Sequence, residues 1–138
     1  MADITVTAAK VAPVFPEKSD IRTYIATETI TAGQAVYILT TGKVGVADAN
    51  AAGKQQFRGI ALNGGAAGAA IDVLHEGEVY GFTLAGNADT LLYLSDTAGV
   101  LSDTAGTMTV VCGRVVCLAD KSLTKVARVF VQWEAQWA

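Results

Sequence analysis

The chain has 138 residues, 51% of them apolar, and a formal net charge of −3 at neutral pH. One domain of this length can bury a substantial core, and no apolar run approaches the length of a membrane-spanning helix. Only 17% of the residues are charged, and the 10 basic residues are scattered, a pattern that argues against a nucleic-acid partner. A weakly charged surface is common where proteins contact each other.

Residues 1–22 are predicted to form an extended N-terminal arm ahead of a single β domain, 23–138. Alternating apolar residues and threonines near the start predict a short strand. Pro13 and Pro16 then keep the chain extended and outside the middle of any sheet. The alternative is a terminus that packs on its own domain. The arm supplies four candidate interface residues, namely Ile4, Val6, Val14 and Phe15.

From Ile21 onward, short β-branched and aromatic segments alternate with glycine turns. The only helical window is the alanine-rich segment 47–56, where we expect at most a turn or two. Gly77 precedes the segment 78–84 and Gly81 interrupts it. The predicted strands are 21–26, 28–30, 36–39, 44–46, 57–62, 71–74, 78–84, 91–94, 100–101, 108–111, 114–118 and 126–133. This pattern predicts an all-β fold, a compact barrel or sandwich of short antiparallel strands.

Two stretches, about 33–79 and about 88–134, look like versions of one strand-and-turn unit. The matched pairs are Tyr37 with Tyr93, Gly42 with Gly99, and Gly59 with Gly113. The two units share turns and apolar strands but no recurring chemical group. A weak internal duplication of this kind is typical of a protein that builds a surface.

The only histidine, His75, lies near three carboxylates at a predicted strand end. One imidazole with loosely placed carboxylates matches no ligand or acid–base spacing, so a polar turn is the favoured interpretation. We expect no catalytic residue, no cofactor and no metal, and therefore no enzyme. An enzyme is the last-ranked alternative, and it would use Asp72, His75, Glu76 and Glu78.

The glycine-rich segment 63–68 and the loops around Asp96 and Asp103 are the other candidates for ligand binding. Segment 63–68 lacks the Lys-Ser/Thr pair of a phosphate loop. Two aspartates in separate loops fall short of the six or more oxygens that calcium takes. We interpret all three segments as turns.

Cys112 and Cys117 are five positions apart, which places them on opposite faces of a regular strand. We therefore expect two buried free thiols and no disulfide between them, as in a reducing compartment.

Two tryptophans, Trp133 and Trp137, lie within the last six residues. Trp133 continues the alternation of Val129 and Val131, so it should face the core or a tight interface. Trp137 is expected to contact a partner, because tryptophan is enriched at interface hot spots. Both are candidate interface residues.

Residues 28–37, 41–44 and 47–49, followed by 58–68, resemble small structural proteins of tailed-bacteriophage heads, the capsid decoration or cement proteins. The shared features are turns and small residues, spread over roughly 24–100. Residues 126–138 depart from the family pattern.

The resemblance implies a non-enzymatic virion protein that binds the outer capsid surface and stabilises the head by bridging neighbouring capsid subunits. Its partners would be the major capsid protein and further copies of itself in a homo-oligomer, with no nucleic acid and no membrane. It would be made in the host cytoplasm and reside on the capsid exterior. The alternative is a phage tail or fibre module that recognises a host surface glycan or protein, which aromatic side chains around a groove would favour.

Overall fold

The computed structural model describes residues 2–133 and confirms the all-β prediction. This part of the chain has no α-helix, only 3-10 turns at Ala8–Lys10 and Pro16–Lys18. No helix within it is long and apolar enough to span a membrane. The strands are β1 (Ala12–Pro13), β2 (Asp20–Ile25), β3 (Ala35–Ile38), β4 (Val44–Val46), β5 (Gly59–Ala61), β6 (Ala70–Tyr80), β7 (Leu91–Leu94), β8 (Leu101–Ser102), β9 (Val111–Cys117) and β10 (Lys125–Phe130).

Eight strands form a curled antiparallel half-barrel in the order β4-β3-β5-β6-β10-β9-β7-β8. The 11-residue β6 is its centre, because it pairs with β5 along its first half and with β10 along its second half. The two halves of this order correspond to each other when each is read inward from its end. The first half reads β4-β3-β5-β6, and the second half reads β8-β7-β9-β10. The two remaining strands, β1 and β2, pair with β6 outside this order.

Gly59 and Gly113 occupy equivalent places in the two halves of the sheet. Gly59 pairs with Val36, and Gly113 pairs with Leu92. A Cβ on Gly59 would lie 2.5 Å from the carbonyl oxygen of Leu74, and one on Gly113 would overlap the carbonyl oxygen of Arg128. At both places a side chain would therefore collide with the backbone of the neighbouring strand.

The apolar side chains bury themselves in two cores on different sides of β6. The main core joins the two halves of the sheet and contains Phe57, Ile60, Leu74, Leu92, Leu94, Leu101 and Val129. The second core lies between the first half of the sheet and β2, and contains Ile30, Val36, Val44, Ile71 and Val73.

The predicted extended arm is not confirmed, because the N-terminal segment packs on its own domain. Ile4 and Val6 lie against the main core. The backbone N–H of Ile4 donates to the carbonyl of Leu101 at 2.8 Å, and that of Thr7 to the carbonyl of Gly81 at 2.8 Å. These bonds satisfy backbone groups that the ends of the sheet would otherwise leave unpaired. The sequence could not reveal this packing, because alternating apolar and polar residues predict a strand but not whether it pairs within its own chain or with another.

Two of the predicted breaks inside strands are wrong. β6 continues through Gly77, which adopts a φ of +145°, so the segments on either side form one strand. β9 likewise joins two predicted strands across Gly113. Glycine here permits close approach and bending within a strand, and does not end it.

The two cysteines are both free, but only Cys112 is buried, so the prediction of two buried thiols is wrong for Cys117. Cys112 and Val115 are both buried although they lie three positions apart. The pairing of β7 with β9 shifts register at this point, which breaks the alternation. Cys117 is exposed because it is the last residue of β9.

Candidate functional site: an aromatic and cationic surface around His75 and Trp133

His75 is a buried polar side chain in the middle of β6, and it is not in the turn that its neighbours predict. Its Nδ1 lies 2.5 Å from the carbonyl oxygen of Arg58, and its Nε2 lies 2.8 Å from the hydroxyl of Tyr24. A carbonyl can only accept, so Nδ1 carries a proton and donates. In the neutral imidazole, Nε2 then accepts from the Tyr24 hydroxyl. Both ring nitrogens are thus used in fixing the ring.

Trp133 packs against this fixed imidazole in a tilted arrangement. The ring centroids of His75 and Trp133 are 4.8 Å apart with the planes at 59°. β10 ends at Phe130, so Trp133 lies in a turn and is 52% exposed. Of the two predicted environments for Trp133, the core is therefore wrong, because the strand stops three residues earlier, and the tight interface stays a prediction.

Arg58 is the second residue in contact with Trp133. Its guanidinium carbon is 5.5 Å from the centroid of the Trp133 ring, within the range of a cation–π contact. One guanidinium nitrogen donates to the carbonyl of Phe57 at 3.0 Å. Burial lowers the pKa of Arg58, yet an arginine remains charged at any physiological pH. Arg58 therefore contributes its carbonyl to His75 and its charge to Trp133.

Tyr24 and Arg22 complete the cluster from β2. The Tyr24 ring meets His75 edge-on at a centroid distance of 5.5 Å, and the Arg22 guanidinium carbon lies 5.6 Å from the Tyr24 centroid. Residues two apart on a strand share a face, which explains why both reach the same side of β6. We call the five residues Arg22, Tyr24, Arg58, His75 and Trp133 the Trp133 surface.

An open groove of about 450 Å³ runs beside this surface. Its lining comes from β2, from the β3–β4 hairpin and from the turn after β10, and includes Arg22, Tyr24, Ile25, Ile38, Gly42 and Trp133. The groove therefore combines one cationic side chain, two aromatic rings and aliphatic walls. This chemistry suits stacking and apolar contact with a bound partner.

The remaining predicted interface residues fall in different environments. Ile4 and Val6 are occupied by intramolecular packing. Val14 is half-buried, and its N–H donates to the carbonyl of Glu78 at 2.8 Å. Phe15 is 37% exposed, with the Lys18 ammonium 5.4 Å from its ring centroid. Trp137 lies outside the described residues.

Three of the carboxylates considered from the sequence, Asp72, Asp96 and Asp103, accept hydrogen bonds within the fold. Asp96 accepts from the N–H and hydroxyl of Thr107 at 2.7 and 2.9 Å, and Asp103 accepts from the N–H of Ala2 at 3.1 Å. Asp72 accepts from the Thr23 hydroxyl at 2.6 Å. Within residues 2–133 no three His, Cys, Asp or Glu side chains come together as metal ligands.

Sequence reasoning missed Tyr24 and Arg58 because they lie 51 and 17 positions from His75. The pairing of β6 with β2 brings Tyr24 to the histidine, and its pairing with β5 brings Arg58. The sequence does carry one indication that His75 is buried. If the strand continues through Gly77, then His75 lies two positions after Val73 and faces the same side of the strand as Ile71 and Val73.

Comparisons of the chain with protein-family models, curated proteins and solved structures found no match.

Proposed function

We propose that this chain is a non-enzymatic structural protein that binds the outer surface of a bacteriophage capsid through the Trp133 surface. The observation that carries the proposal is Trp133, which is 52% exposed yet in contact with both His75 and Arg58. A fixed aromatic side chain loses little conformational freedom on binding. Tryptophan and arginine are also the residues most enriched at interface hot spots.

The capsid is chosen as the partner because residues 28–68 resemble capsid decoration proteins in their turns and small residues. On this proposal the chain binds the major capsid protein on the capsid exterior and bridges neighbouring capsid subunits. It acts as a homo-oligomer, so that several modest contacts combine into strong attachment. The proposal involves no nucleic acid and no membrane.

The test is co-sedimentation of the purified chain with expanded, undecorated capsids. Trp133→Ala should weaken attachment about 30-fold, because truncating a hot-spot residue costs about 2 kcal/mol or more. Leu123→Ala is the matched control, since Leu123 is also a large exposed apolar residue, at 60%, and is not part of the groove or the Trp133 surface. It should leave attachment unchanged. The absence of wild-type binding at any salt concentration, or equal losses in both variants, would contradict the proposal.

A second candidate is a tail or fibre module that recognises a host surface glycan, favoured by the groove between Tyr24 and Trp133. Sugar rings stack on exposed aromatic side chains much as other apolar faces do. Trp133→Ala would weaken both kinds of binding, so the ligand is the discriminating measurement. Binding of the isolated chain to host envelope sugars, with none to capsids, would favour this second function.

A further inference from the structure

The outer edge of β2 carries backbone groups that the sheet does not use. The N–H of Ala26 donates to the carbonyl of Ala69 at 2.9 Å, in the register that pairs Ile25 with Ala70. Backbone groups alternate between the two edges of a strand. Those of Arg22 and Tyr24 therefore face β6, whereas those of Ile21 and Thr23 face outward. Within residues 2–133 the only strand paired with β2 is β6.

The far end of this edge is closed by β4. Ala26 bridges Val44, and the N–H of Thr27 donates to the carbonyl of Val44 at 2.9 Å. An added strand can therefore extend along 20–24 but not past Ile25. This stretch has no proline or lysine, the residues that commonly protect an edge strand from pairing.

We propose that β2 pairs antiparallel with β2 of a second copy of the chain, across a two-fold axis at Ile21. In this register Asp20 lies opposite Arg22 of the second copy, and the reverse pair repeats the contact. Ile21, which is 36% exposed, lies beside Ile21. The outward N–H of each Ile21 donates to the outward carbonyl of the other.

Two other two-fold registers of the paired β2 strands are less favourable. An axis at Arg22 would set like charges opposite each other and would require backbone groups that already face β6. An axis at Thr23 would pair Ile21 with Ile25 and extend the added strand into the bridge between Ala26 and Val44. Ile21 is therefore the axis that combines free backbone groups with opposite charges.

The pairing does not rest on capsid attachment, since it uses only the β2 edge. It does have a consequence for attachment. Arg22 and Tyr24 belong to the Trp133 surface, so joining two β2 strands would bring two such surfaces together. An isologous contact of this kind closes at two copies.

Sedimentation equilibrium of the full chain over a range of concentrations tests the proposal. The wild-type mass should rise from 14.3 kDa toward twice that value. Asp20→Arg and Arg22→Asp each place like charges opposite each other, and each should weaken dimerisation at least tenfold. The double variant Asp20→Arg/Arg22→Asp restores opposite charges and should dimerise within a few-fold of wild type. Thermal melting of each variant separates loss of dimer from loss of fold.

Three outcomes would overturn the proposal. The first is a wild-type chain that remains monomeric up to about 1 mM. The second is an oligomer that the single charge reversals do not weaken, or that the double variant does not restore. The third is a wild-type chain that stays monomeric while a chain shortened to end at Trp133 dimerises. The residues after Trp133 would then occupy the outer edge of β2 in place of a second copy.

Discussion

Replacing Gly113 by alanine should destabilise the sheet more than any other glycine-to-alanine change with an ordinary φ. The new Cβ would overlap the carbonyl oxygen of Arg128 and lie 3.0 Å from its carbonyl carbon and 3.2 Å from the Cα of Val129. All three atoms belong to the backbone of β10, so no side-chain rotation relieves the collision. Overpacking costs about 1–3 kcal/mol, and each weakened ladder hydrogen bond adds about 1 kcal/mol.

We therefore expect Gly113→Ala to lower the free energy of unfolding by about 3 kcal/mol, a large share of a typical 5–15 kcal/mol. For a domain of this size the melting temperature should fall by roughly 10 °C. The assay is thermal melting followed by circular dichroism. Gly86→Ala is the control, because its Cβ would meet Thr90 at an ordinary 3.5 Å, and it should be neutral or slightly stabilising. A Gly113→Ala chain that melts within about 2 °C of wild type would refute the reasoning.

Deleting residues 2–18 should lower the melting temperature, because the deletion uncovers part of the main core, and an unchanged melt would show that the segment is dispensable. A thiol reagent should modify Cys117 quickly and Cys112 only on unfolding, since burial raises the pKa of Cys112; equal rates would contradict this. Hydrogen bonds from Thr124 lower the pKa of Asp120 in the folded chain. Its stabilising effect is therefore present at neutral pH and lost as the pH falls through that lowered pKa, and Asp120→Asn should remove this part of the acid sensitivity in pH-dependent melts.

The strands were predictable from the sequence wherever local chemistry decides them. Residues 44–46 and 91–94, for example, are apolar segments next to glycine turns, and both are strands. Gly77 could not be interpreted in this way, because a glycine in a bent strand and a glycine in a turn look alike without the neighbouring strand.

The candidate site was harder to predict than the fold. His75 could be singled out as the only histidine, but its partners Tyr24 and Arg58 come from two other strands. Their meeting depends on the register of β6 against both neighbours, and register is a property of the folded sheet. Trp133 could be named as a contact residue, yet its exposure depends on where β10 ends.

The strand order is symmetric about the β6–β10 pair, so each residue of one half of the sheet can be compared with an equivalent residue of the other half. The offset that relates Gly59 to Gly113 also relates Leu74 to Arg128, whose carbonyls approach the two glycines. The same offset makes His75 equivalent to Val129, and Arg58 equivalent to Cys112. Val129 and Cys112 are both buried parts of the main core, while His75 and Arg58 hold an exposed tryptophan. On the duplication that the sequence predicts, the surface proposed for capsid binding lies in one copy only, and the equivalent positions of the other copy are used for packing.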